Sequence, residues 1–130
     1  MALAYSTVVR NAMLDAITTA VGASGLVRFY DGVRPASGGT ATTLLATLPC
    51  SATFAPASSA GVLTLNALTT ANAVATSTST WFRIVTSGGT FVVDGNVGTS
   101  GSDFNFTGTA ALTTGQPVSA TSWTITEGNP

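Results

Sequence analysis

Apolar and polar residues alternate most clearly on either side of Gly88-Gly89. A two-residue Gly-Gly link between two β-rich runs is typical of a hairpin, because both glycines accept positive φ at little cost. Strand alternation places Phe82 and Ile84 on one face of the first arm. It does the same for Phe91 and Val93 on the second arm, which ends at a turn pair, Asp94-Gly95. The pattern predicts a central β-hairpin.

Similar short runs recur along the chain, with turn residues between them. The remaining runs that we interpret as strands are 26–30, 42–48, 52–54, 62–68, 103–107 and 117–126, with a weaker one at 111–112. Residues 69–80 are nearly all Thr, Ala, Ser and Asn, which favours at most an edge strand at 73–75. Regularly spaced short strands are typical of sandwiches and barrels. We therefore predict an all-β fold, jelly-roll-like or a sandwich, of about eight short strands.

One N-terminal amphipathic helix is predicted over 8–21, capped by Ser6 or Thr7 and ended by Gly22. Its apolar residues recur at helical spacing, at Val9, Met13, Ile17 and Val21, with Leu14 beside them. Arg10 and Asp15 are placed on the opposite side. The stripe is expected to cover the β core; docking on another subunit is the alternative.

The length of 130 residues predicts a single domain, 1–130. Within it we expect an N-terminal arm at 1–7, the helix at 8–21 and a β-sandwich at 26–126. The Sec-type pattern of a basic segment followed by an apolar one is not found at the N-terminus, so we expect synthesis in a cytoplasm.

Charge is scarce, because only 7% of the residues are charged and Lys and His are absent. An average domain has about 25%. Four dispersed arginines cannot neutralise a run of phosphates or bind a membrane surface, so we expect neither nucleic acid nor membrane as a partner. A net charge of −1 favours association. We therefore expect a homo-oligomer, a dimer or a trimer.

The sequence contains few residues that could support catalysis or bind a metal. Without histidine, neither a serine triad nor a Cys-His pair can be built, and the single Cys50 is expected to be a small buried apolar residue. We predict no enzyme, no cofactor and no metal. The alternative is a calcium loop between Asp94 and Asp103, where oxygen ligands gather, although Asp-Gly is also ordinary turn chemistry.

The aromatic residues allow two interpretations. Trp81, Trp123, Tyr30 and Tyr5 could line a sugar-binding platform. Aromatic residues at alternating strand positions usually pack in a core or a subunit interface, which is the interpretation we favour.

Three stretches carry a resemblance to a known group of proteins. They are Leu14-Asp15-Ala16-Ile17, the run from Gly25 to Pro35 (GLVRFYDGVRP), and Trp81-Phe82-Arg83-Ile84 with the run from Asp94 to Asp103 (DGNVGTSGSD). On these the chain resembles small proteins encoded by tailed phages and prophages, over most of its length. By size and β-rich pattern it also resembles capsid decoration (cement) proteins. The resemblance implies a virion structural role and brings no catalytic residues.

For such a protein the expected partner is the major capsid protein, and the expected location is the capsid surface. The residues predicted to make contacts are Leu3 and Tyr5 in the arm, Arg34 and Pro35 in a loop, and Asn72 and Val74 in the 69–79 segment. The alternatives are a tail or fibre component that binds a host glycan, and a head-tail or tail-tube ring protein.

Overall fold

The computed structural model describes residues 3–120 and 123–127 and is mostly β, with one helix, as predicted. Its elements in chain order are α1 (Thr7–Val21), β1 (Leu26–Tyr30), β2 (Leu44–Pro49), β3 (Val62–Leu65), β4 (Ala71–Asn72), β5 (Ser77–Thr78), β6 (Trp81–Val85), β7 (Phe91–Gly98), β8 (Phe104–Asn105), β9 (Ala111–Leu112), β10 (Pro117–Val118) and β11 (Trp123–Thr126).

The main sheet has five strands in the order β2-β1-β6-β7-β8. All neighbours are antiparallel except β7 and β8, which are parallel. The predicted central hairpin is confirmed as β6-β7, with Ile84 opposite Val93. Its connection was predicted wrongly: it spans residues 86–90 and is closed by a hydrogen bond from the Thr86 N–H to the Thr90 carbonyl, 2.9 Å. Gly89, at φ 90°, supplies the positive φ of this turn.

The segment 62–78 runs antiparallel to 111–118 and 123–126, and their strands form a two-stranded ribbon. They pair in three short ladders, β3-β11, β4-β10 and β5-β9. Two hydrogen bonds join this ribbon to the outer edge of β2: the Thr69 N–H donates to the Pro49 carbonyl at 2.8 Å, and the Val74 N–H donates to the Leu45 carbonyl at 2.7 Å. The strands therefore form a curled sheet around one core.

Several strand predictions need correction. The run 117–126 holds two strands, β10 and β11, and the second hairpin arm does not end at Asp94-Gly95, because β7 continues to Gly98. Residues 52–54 form a bend, because Phe54 turns into the core, 1% exposed, while its carbonyl accepts from the Asn66 N–H. The polar 69–80 segment holds β4 and β5 on either side of the expected edge strand at 73–75. Pairing with β10 and β9 places these two strands, a signal that the segment's own composition does not carry.

The core is centred on five packed aromatic rings. Phe82 meets Trp123 edge-on with ring centres 4.8 Å apart, and Phe29 lies 5.0 Å from Phe104. Phe106 packs against Phe29 and Phe104. Buried aromatic side chains contribute the largest apolar areas to a core of this size. Cys50 is also buried, as predicted.

The helix confirms its predicted bounds, and its predicted orientation is correct in part. Ser6 is the N-cap and its hydroxyl accepts from the Val9 N–H. Leu14 and Val21 are buried and Ile17 packs against the core, as predicted, but Val9 and Met13 are 42% and 39% exposed. The polar side chains predicted to face solvent instead bind the domain.

Candidate interaction surfaces

The helix is attached to the domain by polar contacts along one side. The Asp15 carboxylate accepts from the Ser58 N–H at 2.8 Å, and the Asn11 side-chain oxygen accepts from the Gly61 N–H at 2.9 Å. The Arg10 guanidinium donates to the Glu127 carbonyl at 3.0 Å. These bonds satisfy the backbone of the 58–61 turn and of the chain end. They fix which side of the helix faces inward.

The opposite side of the helix is uncharged and open to solvent. We call it the outward helix face, and its members are Val8, Val9, Ala12, Met13, Ala16, Thr19 and Ala20, all exposed. Val8 is the most exposed large residue among them, at 78%. The sequence contains the signal for this face, since these residues share one half of a helical wheel that excludes Arg10 and Asp15. The sequence analysis missed this face because it assigned Val9 and Met13 to the core.

The contact residues predicted from the sequence lie on three separate elements. Leu3, in the arm, is 56% exposed, and Tyr5 is half-buried. Arg34 is exposed in the loop between β1 and β2, next to a half-buried Pro35. In the ribbon, Asn72 is exposed at the end of β4 and Val74, just beyond it, is 63% exposed. The structure does not gather these residues into one patch.

Exposed large apolar side chains mark the same three regions and the outward helix face. In the described part of the chain they are Leu3, Val8, Val9, Met13, Val33 and Val74. Val33, at 84% exposed, adjoins Arg34, and Val74 belongs to the predicted ribbon contacts. Each region predicted to make contacts therefore presents at least one large apolar side chain to solvent.

The 31–43 loop that carries Val33 and Arg34 is held on the outer face of the main sheet. The Trp81 indole N–H donates to the Asp31 carbonyl at 3.0 Å. The Gly38 N–H donates to an Asp94 carboxylate oxygen at 3.3 Å, and the Arg83 guanidinium donates to the Gly39 carbonyl at 2.8 Å. Both ends of the loop are thus tied to β6 and β7, and the exposed residues between them project from an anchored base.

An ion pair under this loop is the strongest electrostatic feature of the described residues. Arg83 Nε lies 2.7 Å from Asp94 Oδ1, and Arg83 Nη2 lies 2.9 Å from Asp94 Oδ2. The side chains are 11% and 2% exposed. The guanidinium also contacts the Trp81 and Phe91 rings, at 5.2 and 5.3 Å from their centres. The hydrogen bond to Asp94 raises the pKa of Arg83, so the guanidinium stays charged at any ordinary pH.

The calcium alternative finds its two carboxylates already occupied. Both Asp94 oxygens accept from Arg83, and one also accepts from Gly38. An Asp103 oxygen accepts from the Asn96 N–H at 2.8 Å. Among residues 3–120 and 123–127 there is no group of three or more acidic, Cys or His side chains that could hold a metal. The two aspartates serve the backbone and Arg83.

The aromatic residues pack, as we predicted. Trp81 is fully buried and stacks on Tyr30, with ring centres 4.4 Å apart. Trp123 is 7% exposed, and its indole N–H donates to the Asp103 carbonyl at 2.9 Å. These rings present no open face to a sugar.

Two shallow grooves of about 390 and 560 Å³ flank Trp123. The smaller one is lined mainly by β8 and β10, with the amides of Asn105 and Gln116 on its wall. The larger one lies between β7 and β11 and includes Asp94 and Asp103. Neither groove gathers the base, nucleophile and charge-stabilising donors that a catalytic centre needs.

Comparisons with protein-family models, with curated proteins and with solved structures found no match for this chain. The described part of the chain contains no helix with the length and apolar character needed to span a membrane.

Proposed function

We propose that this protein is a phage virion structural protein, and within that class a capsid decoration protein that binds the lattice of the major capsid protein. One observation carries the proposal. The predicted contact segments, which are the arm, the 31–43 loop and the 71–74 part of the ribbon, each present an exposed large apolar side chain on an uncharged or weakly charged surface.

The energetic logic of decoration fits this surface. Burying a fully exposed valine is worth about 1.5–3 kcal/mol, so one contact through Val33 or Val74 is weak. A symmetric lattice repeats the contact, and a protein that bridges two lattice subunits gains from effective concentration. Weak, uncharged contacts of this kind are specific only where they recur in register.

The fold supports the same class. The main sheet is faced by the β3–β5/β9–β11 ribbon across the aromatic core, which favours the sandwich or jelly-roll description. The loop with Val33 rests on the Arg83–Asp94 ion pair and on the buried Trp81 ring. We propose that this protein has no catalytic activity and uses no cofactor, because its carboxylates serve structural contacts.

The two alternatives make different demands on the structure. A fibre component that binds a host glycan would use the grooves beside Trp123, whose polar lining suits hydroxyl groups but whose aromatic rings are covered. A tail-tube ring protein needs long hairpins that insert into neighbours, whereas the β6–β7 hairpin is short.

Sedimentation with capsids tests the proposal directly. Purified protein is mixed with intact particles and with expanded capsids that lack it, and the pelleted fraction is measured against protein concentration. Saturable binding at a fixed ratio to the major capsid protein is expected. The double variant Val33→Glu/Val74→Glu should lose this binding, and Ser87→Glu, which adds a charge to the exposed β6–β7 turn, should keep it. Binding only to isolated tails would refute decoration.

A further inference from the structure

Nothing in the described fold covers the outward helix face. Its seven members carry no charge, although the same helix contains Arg10 and Asp15. Those two charged side chains are turned to the 58–61 turn and to Glu127. The inward side buries Leu14 and Val21 and packs Ile17 against the core, so the helix has apolar residues on both sides. An ordinary surface helix presents charged and polar side chains to solvent, whereas this one presents an uncharged face.

The polar group on this face carries no large desolvation penalty. The Thr19 hydroxyl already donates to the Asp15 carbonyl one turn earlier, at 3.2 Å. Covering the face would therefore remove apolar surface from water without leaving an unpaired donor.

We propose that this face pairs with the same face of a second copy of the chain, as two antiparallel helices about a two-fold axis. A two-fold axis places like residues near one another, so a charge on the face would meet its own copy. The face avoids this because it has no charge. Antiparallel pairing also sets opposite helix dipole ends side by side.

The distribution of side-chain size along the face selects the antiparallel direction. Its bulky residues, Val8, Val9 and Met13, lie in the first half of the helix. The second half presents Ala16 and Ala20. Antiparallel pairing with Val8 opposite Ala20 sets large side chains against small ones, whereas parallel pairing would set large against large. In this register Ala12 lies opposite Ala16 of the second copy, which lets the two backbones approach closely at the axis.

The size of the face sets the strength of the contact. A helix of 15 residues is about 22 Å long, so the pair alone buries an area at the low end of specific interfaces. We expect a dimer with a Kd on the order of micromolar. The pairing is tested on the purified protein without capsids. A negative result would therefore leave the proposed capsid binding through Val33 and Val74 unaffected.

Analytical ultracentrifugation of the purified protein, from about 1 to 100 µM, tests the pairing across the expected micromolar range. The wild-type mass should rise with concentration from 12.9 kDa toward twice that value. Ala16→Glu should weaken the dimer at least about 100-fold, because it buries a carboxylate with no partner, while glutamate preserves helix propensity. Ser87→Glu is the matched control for added charge and should dimerise normally. A wild-type monomer at the highest concentration, or an undiminished Ala16→Glu dimer, would overturn the proposal.

Disulfide trapping tests the direction and register without depending on a destabilised variant. Ala12→Cys and Ala16→Cys proteins are oxidised separately and as an equimolar mixture, and the products are resolved by mass. Native Cys50 is buried, and burial raises its pKa to about 11, so the introduced thiols react first. The mixture should form mainly the heterodimer. Predominant homodimers in each separate reaction would indicate parallel pairing and refute the antiparallel arrangement.

Discussion

The Arg83–Asp94 pair allows a quantitative test of how the outer face of the sheet is held. Asp94 is 2% exposed and accepts three hydrogen bonds, two from Arg83 and one from the Gly38 N–H. Asp94→Asn keeps the shape but leaves the guanidinium of Arg83, 11% exposed, without a counter-charge. Removing one partner of a buried pair costs about 3–5 kcal/mol. Arg83→Met should cost a similar amount, because it leaves the carboxylate with the Gly38 N–H as its one remaining donor.

The double variant Arg83→Met/Asp94→Asn separates the pair from its surroundings. It removes both charges, so we expect it to lose no more stability than either single variant. The resulting coupling energy is about 3 kcal/mol or more. Urea unfolding followed by tryptophan fluorescence gives the free energy of unfolding of the wild type and the three variants. In a parallel thermal unfolding experiment, Tm should fall by roughly 4 °C for each kcal/mol lost in a domain of this size. An exposed pair couples by about 1 kcal/mol or less. A coupling energy below about 0.5 kcal/mol would show that Arg83 and Asp94 behave as such a pair and would refute the reasoning.

Two further predictions concern the core. Gly95→Ala should destabilise the fold by about 1–3 kcal/mol, because a Cβ there would lie 2.4 Å from the Phe82 ring. Gly88→Ala should be nearly neutral in the same urea assay, because the nearest neighbour of a Cβ there lies 3.9 Å away. Equal effects of the two substitutions would contradict the close approach at Gly95. Burial raises the pKa of Cys50 from 9.0 to about 11, so the unfolded chain loses the thiol proton first, and the free energy of unfolding should fall as pH rises from about 9 to about 11. Cys50→Ala should show a smaller fall over this range in parallel urea titrations, and identical pH profiles would contradict the assignment.

Local patterns in the sequence predicted the elements better than their partners. The helix bounds, its Ser6 cap and the β6–β7 hairpin follow from periodicity and capping, which depend on neighbouring residues. The side of the helix that faces inward depends on Ser58, Gly61 and Glu127, which are distant in sequence and belong to a turn and a chain end. A hydrophobicity pattern gives apolar residues the inward side by default. Leu14 and Val21 follow this rule, whereas Val9 and Met13 stay exposed, because the polar contacts of Asn11 and Asp15 fix the rotation of the helix.

For the surface, too, local features could be predicted and contacts between distant residues could not. Exposure of Leu3, Arg34, Asn72 and Val74 could be predicted, because these residues lie in an arm, a loop and a polar segment. The anchoring of the 31–43 loop could not, since it requires knowing that Arg83 and Trp81 face outward beneath it. One clue was present: Trp81 and Val85 share the outward face of β6 with Arg83, and two large apolar residues are unusual on a strand face in water.

The hydrogen bond from Arg10 in α1 to the Glu127 carbonyl has a consequence for biosynthesis. The helix is synthesised before its docking partners, which are the 58–61 turn and a carbonyl that follows β11. Pairing of β3 with β11 likewise joins segments far apart in the chain, and such topologies fold slowly. Chain synthesis proceeds at about 5–20 residues per second, so several seconds pass between the synthesis of the helix and that of its last docking partner. During translation the helix is therefore not yet fixed in orientation, and its contacts are complete only once Glu127 has been synthesised.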